Sequence, residues 1–364
     1  MTYLRSALIG LLAMCTALAG AVAIAPEAAA APAFTPKISV YLADGVTPVG
    51  NTQLHPGDVV VVKGRGFDPN ANTSGLPVPV PPGVPHGTFI AFGPFAKNWR
   101  PSQDAPEEAR PTNRSNVKWA ISDAALAQVP DVPFDMRRTV RGRAVTLHRN
   151  GTFTAPITLS TPEDIPADGR WGIYTYGGAN AINAAQEIYV PINYSTAPGA
   201  NTPKPAERNL IWKYSPDFYQ TVVGTTQGAV SGKEGAGVDK KTGALSFELV
   251  SNTVKGSSGD LRYRGTVVVN TRFNLFEIAL VDPVIRVRDG KAVLSMKTST
   301  TDMNGTDVLR RVNIADLSLS RADLARLSRG EDVAGVRAAF RSGITPTSLA
   351  LLSTGPASPV TLRF

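Results

Sequence analysis

Short runs of alternating apolar and polar residues, each closed by turn formers, dominate the chain. Ile38, Val40 and Leu42 alternate up to Asp44-Gly45, and Pro56-Gly57-Asp58 launches the apolar run at 59–62. Residues 144–149 lead through Asn150-Gly151 into 152–159. Side chains point to opposite faces along a strand, so a period of two marks a half-buried strand. Asn-Gly between two such runs predicts a hairpin, because both residues tolerate positive φ. Residues 171–176 and 187–192 read as closing strands, and Pro191 puts the last at a sheet edge. One helix is expected at 117–127, and a long Pro-rich excursion at 74–111. Residues 36–195 therefore predict an immunoglobulin-like β-sandwich.

Residues 196–207 combine Pro, Gly, Ala and Thr without apolar pattern and predict a semi-rigid linker. Alternation resumes in a second module, 208–364. Leu245, Phe247 and Leu249 oppose Ser246 and Glu248. Over 262–273 the odd positions include Tyr263, Val267, Val269 and Phe273, and the even ones Arg262, Arg264, Asn270 and Arg272. Ile285-Arg286-Val287-Arg288 turns at Asp289-Gly290 into 292–296, a second predicted hairpin. Residues 320–340 read as helical, capped by Ser320 with Asp323 at the capping-box spacing, and divided at Gly330. The predicted class is all-β: two β-sandwich domains, the second with short helices.

The first residues change the picture of where the protein works. Arg5, an apolar run over 7–24 and the small residues Ala28 to Ala31 have the layout of a secretory signal peptide, expected to occupy 1–31. A membrane anchor and a lipid anchor at Cys15 are the competing readings. Cys15 is the sole cysteine, so a chain cleaved after it has no disulfide and rests on packing alone. No later apolar run is long enough to cross a membrane as a helix. A secreted or cell-envelope location is the consequence. The net charge of +8 is spread singly, without a nucleic-acid-binding signature, and suits an anionic envelope surface or ligand.

Little in the sequence supports catalysis. There is no G-x-S-x-G, and the three histidines, His55, His86 and His148, are scattered through the first module. Gly64-Arg65-Gly66-Phe67 lacks the following helix a phosphate loop needs, so a turn or bulge is expected there. A binding protein, not an enzyme, is the expectation.

The most informative segment is Trp212-Lys213-Tyr214-Ser215-Pro216-Asp217-Phe218-Tyr219. Pro216 suits a first helical position, with Ser215 as its cap and Tyr219 one turn on. With Gly265-Thr266-Val267 and Asp282-Pro283 following in order, the second module resembles the HtaA-type haem-binding domain of actinobacterial haem-uptake proteins. The first resembles the immunoglobulin-like segment that accompanies it, through Gly64 to Phe67, Gly93-Pro94-Phe95 with Trp99, and Tyr174-Thr175-Tyr176. The resemblance implies haem as cofactor, Tyr219 as its axial iron ligand and Ser215 as a nearby polar contact. It implies haem or haemoproteins as partners, beside other envelope proteins. Where the family places a histidine, this chain has Arg272, and where it places a Phe-Tyr pair, Leu351 and Leu352. Arg272 is expected either to stabilise a Tyr219 phenolate and hold a propionate, or to mark a module that keeps the fold without haem as an envelope scaffold.

Overall fold

The computed structural model describes residues 34–364, apart from 133–135, 205, 273–276, 301–308, 345–348, 351 and 354. The expected signal segment, Phe273 and Leu351 therefore lie outside the described residues. The chain is mostly β, as its alternation predicts.

Two sheets build the first half. β1 (Lys37–Leu42), β2 (Val59–Arg65) and β6 (Phe153–Thr158) form one, in the order β1-β2-β6. β3 (Thr88–Phe95), β4 (Val117–Ile121), β5 (Ala144–Thr146), β7 (Arg170–Gly177) and β8 (Ile188–Pro191) form the other, in the order β5-β4-β3-β7-β8. Val60, Val62, Ala155 and Ile157 from the first meet Ile90, Phe92 and Ile173 from the second in a shared apolar layer. β8 is an edge strand, as Pro191 requires.

Three sequence expectations are corrected here. Residues 117–127 are not one helix: β4 is followed by a short α1 (Asp123–Ala127), capped by Ser122, whose hydroxyl accepts from Ala125 N at 3.2 Å. The β-branched and aromatic residues Val117, Trp119 and Ile121 suit a pleated surface, and the capping serine marks the true helix start. The excursion at 74–111 contains β3, the strand between β4 and β7. It is covered on both faces, so it reads as an unbroken apolar run without alternation. The Asn150-Gly151 turn forms, with Gly151 at φ 77°, but it joins no hairpin. β5 runs parallel to β4 while β6 pairs with β2, so this turn carries the chain between sheets. Beside it, α2 (Met136–Arg141) packs Met136 and Val140 against Trp119, Ile121 and Val129.

The histidines serve this architecture. His86 is fully buried, its ring nitrogens each 2.9 Å from the carbonyls of Asn72 and Leu76. His55 Nδ1 donates to the Ala197 carbonyl at 2.9 Å, and Thr202 Oγ1 to that of Pro56 at 2.7 Å. Residues 197–202 are thereby held against the first sheet. Gly64 lies under the Phe153 ring, where a Cβ would sit 2.1 Å from a ring carbon.

The second half closes on itself. β9 (Leu210–Trp212), β10 (Ala229–Lys233), β11 (Ala236–Asp239), β12 (Ala244–Asn252), β13 (Gly259–Arg264), β14 (Thr266–Asn270), β15 (Glu277–Arg288), β16 (Lys291–Thr300), β17 (Arg310–Ser318), β18 (Val333–Phe340) and β19 (Val360–Leu362) are antiparallel throughout. The pairings run β15-β13-β12-β9-β19-β18-β17-β16 and return to β15, an eight-stranded ring. An interior of this size is filled by side chains. Leu210, Trp212, Phe247, Leu261, Ile285, Leu294, Ile314 and Leu362 fill it. β15 is long enough to pair with β14 through its first half and β13 through its second, on one side, and with β16 on the other. Asp289-Gly290 makes the predicted hairpin, with both φ values positive. Residues 320–340 are not helical throughout: α4 (Arg321–Arg329) ends at Gly330, left-handed at φ 73°, and β18 comes next.

Candidate functional site

The Trp212–Tyr219 segment begins on β9, inside the ring. Trp212 points inward, fully buried, and its Nε1 donates to the Ser358 carbonyl at 2.8 Å. Tyr214 takes a left-handed conformation (φ 65°), which turns the chain out of the strand while its ring stays in the core. That ring lies 4.8 Å from those of Trp212 and Phe218 and 4.9 Å from Phe340, centroid to centroid. Its hydroxyl is 2.6 Å from Ser353 Oγ, and its carbonyl accepts from Ser358 N at 2.8 Å. Burial raises the Tyr214 phenol well above its ordinary pKa, against the Ser353 bond. The segment is thus fastened to residues 353–358, which precede the last strand.

The helix opens later than the sequence predicts. A turn at 215–218, with Phe218 N donating to the Ser215 carbonyl at 3.3 Å, precedes α3 (Phe218–Gln220). Asp217 stands at the cap position, and neither it nor Ser215 caps through its side chain. The physical reason is Tyr214: the left-handed step spends residues 215–217 reversing the chain before helical hydrogen bonds begin. Ser215, largely buried, therefore precedes the helix. A wider π-type turn, Thr221–Thr225, continues α3. Such turns are rare and recur at functional sites.

Tyr219 is half-buried and packs on the ring's core. Its Cβ rests on Gly243, where an added Cβ would come within 2.6 Å of it, and Gly243 has φ 70°. A bare glycine is thus required beneath the tyrosine. Its phenol hydroxyl has no hydrogen-bond partner among the described residues. Arg272 lies just beyond β14, at the other end of the helical turn. Its backbone N–H donates to the Thr226 carbonyl at 3.1 Å, and its guanidinium donates to Gln227 Oε1. Six residues of helical turn lie between Tyr219 and Thr226. The strand parity that places Arg272 on a polar face does not extend to it, because β14 ends at Asn270. Leu352 is half-buried against the same core.

Sequence reasoning missed Tyr214, Gly243 and Ser353. Tyr214 sits inside the motif, but nothing in its spacing signals positive φ. Gly243 comes after Thr242 in a turn whose Asp239 carboxylate accepts from Lys241 N and Thr242 N at 3.0 and 3.1 Å. Those bonds, Thr242's first, hold Asp239 below its ordinary pKa, and the nearby Arg208 adds to the effect. A cleft of about 540 Å³ adjoins this turn on the outside of the ring. Arg208, Lys213 and Arg363 line it with Asp239, Thr242 and Ala244, and the Arg208–Asp239 pair closes to 3.5 Å. Thr242 and Ala244 flank Gly243, so the cleft reaches the backbone on which Tyr219 rests. Among the described residues there is no group of three or more His, Cys, Asp or Glu side chains placed to hold a metal.

Residues 208–345 match the family model Htaa, the family that the Trp212–Tyr219 segment resembles. Similar solved structures include the N-terminal domain of HtaA from Corynebacterium glutamicum, 16% identical, covering 44% of this chain and 99% of that one at a TM-score of 0.34. The C-terminal domain of the same protein is 13% identical, covering 43% of this chain and 94% of that one at 0.32. The haem-binding protein HtaB from Corynebacterium glutamicum is 10% identical, covering 42% and 90% at 0.32. No curated protein matches.

Proposed function

We propose that this protein is exported to the cell envelope and there binds haem through its second module, with Tyr219 as the axial ligand. The observation that carries the reading is the pairing of the family match over 208–345 with a Tyr219 whose hydroxyl has no hydrogen-bond partner among the described residues. Ferric iron supplies a hard Lewis acid, and a phenol oxygen is an established haem ligand. The residues present fit such a group in part. Tyr219 offers the oxygen from a backbone held against Gly243, and Ser215 lies in the turn before its helix. Lys213, Arg208 and Arg363 supply cations for carboxylates at the neighbouring cleft. Arg272 is engaged by Gln227, and a role for it toward the ligand requires leaving that amide.

The domain boundaries proposed with this function are a sandwich at 36–195, a connector at 196–207 and the ring-forming module at 208–364, after removal of 1–31. Among the described residues no strand pairing joins the sheets of the two halves, which supports that division.

The test is titration of the purified protein with ferric haemin, following the Soret and charge-transfer bands. A saturable one-to-one spectrum of the tyrosinate type is expected, with loss of the charge-transfer band in Tyr219→Ala and an unchanged far-ultraviolet spectrum. Haem binding unaltered by that substitution would remove Tyr219 as ligand. A second reading is an envelope interaction module that keeps this fold without haem, and the commitment of Arg272 to Gln227 favours it. Under that reading haemin gives only the spectrum it shows with any carrier protein.

A further inference from the structure

On the other side of the ring, the outer face of β13, β15, β16 and β17 gathers arginines. Cross-strand partners share a face. Asp260 opposes Arg286, and Arg286 opposes Val293; Arg262, two residues along, opposes Val284, which opposes Ser295. Lys297 opposes Arg311. Arg262, Arg286, Arg288, Lys297 and Arg311 therefore stand on one face. Carboxylates answer some of them, and Asp316, opposite Val293 on the same face, pairs with Arg341 at 3.6 Å. Asp260 is nearly buried and takes three arginines: Arg262 at 2.9 Å, Arg288 at 3.2 Å and Arg286 at 3.6 Å. Asp282, at the irregularity in β15, takes Lys297 at 3.0 Å. Arg311 donates to the carbonyls of Ser295 and Asp282, at 3.2 and 2.9 Å.

Cations outnumber carboxylates on this face, and the arginines sit near enough to act on one another. Burial lowers the Arg311 pKa, and Arg262 and Arg286 push it further down, against the pull of Asp282. Such crowding works against folding, and an anion relieves it. The side chains of Arg262, Arg286 and Arg288 are more than half exposed. Arginine forks match phosphate oxygens in pairs. The face is the outside of a closed ring, without walls to enclose a small ligand. It spans three strand spacings, roughly 14 Å, which suits a surface bearing many phosphates.

We propose that this arginine face docks the protein on a phosphate-bearing anionic lipid surface, independently of the Tyr219 site. The test is co-sedimentation of the purified protein with phosphatidylglycerol-containing vesicles at low and high salt, phosphatidylcholine vesicles serving as reference. Binding only to the anionic vesicles, weakened by salt, is expected, with affinity falling roughly tenfold or more in Arg286→Gln/Arg311→Gln. Arg326→Gln/Arg329→Gln on α4 removes the same charge elsewhere and is expected to bind as the parent does, as is Tyr219→Ala. Equal losses in both double variants would reduce the effect to net charge and overturn the proposal. Absence of vesicle binding at low salt would overturn it too, as would binding of soluble polyphosphate without binding of vesicles.

Discussion

Three tyrosines of the second module show how one side chain takes different roles by its surroundings. Tyr214 and Tyr263 are both buried, but Tyr214 has Ser353 at 2.6 Å, whereas the Tyr263 hydroxyl has no hydrogen-bond partner among the described residues. A buried polar group without a partner costs about 1–3 kcal/mol. Tyr263→Phe is therefore expected to stabilise the protein by about 1 kcal/mol or more, read from the midpoint of denaturant unfolding at unchanged slope; a destabilised variant would mean that the hydroxyl is satisfied. Tyr219 is the third case, half-buried, its hydroxyl likewise without a hydrogen-bond partner among the described residues. Its placement depends on Gly243, since any larger residue there meets the tyrosine's own Cβ.

Among the elements, α4 has the most complete local signal. Ser320 Oγ accepts from Asp323 N at 3.1 Å, and the Asp323 carboxylate accepts from Ser320 N at 2.9 Å. Ser320→Ala is expected to cost about 1 kcal/mol, measured by thermal unfolding; Ser320→Thr is expected to keep most of it. The capping box and Gly330 were legible because they are local chemistry. The strand beyond Gly330 was not: Val333 and Val336 are three apart, a spacing a helix shares, and only pairing with β17 and β19 makes the segment a strand. The same limit explains residues 117–121, whose strand needs β3 beside it, and Asn150-Gly151, whose turn chemistry is local while its strands' partners are distant. At the candidate site the sequence placed Tyr219 on a short helix correctly. It misplaced the cap because the left-handed step at Tyr214 is set by the ring's aromatic packing.

For the whole molecule, the buried phenols set the alkaline limit. Burial raises Tyr214 and Tyr263 above the ordinary tyrosine value, whereas in the unfolded chain both ionise near ~10. Below that pH the two states hold the same phenolic protons. Above it the unfolded chain releases protons that the folded one retains, and stability falls as pH rises. The melting temperature is thus expected to hold level up to about pH 9 and then decline, with these phenols ionising only as the fold is lost. Phenolate absorbance measured alongside circular dichroism checks this; full ionisation of all tyrosines with the fold intact would contradict it.

Ring closure depends on a pairing between β9 and β19, strands that begin 150 residues apart, at Leu210 and Val360. A chain emerging from its amino end offers Leu210–Trp212 long before Val360–Leu362 exist to join it. Until then β9 and β18 both expose bare hydrogen-bonding margins, of the kind that recruit strands from other molecules. The barrel is therefore a structure finished last of all, in a single late event. During synthesis the growing chain needs shielding, and losing only the residues of β19 would leave a sheet prone to clump where a sealed cylinder belongs.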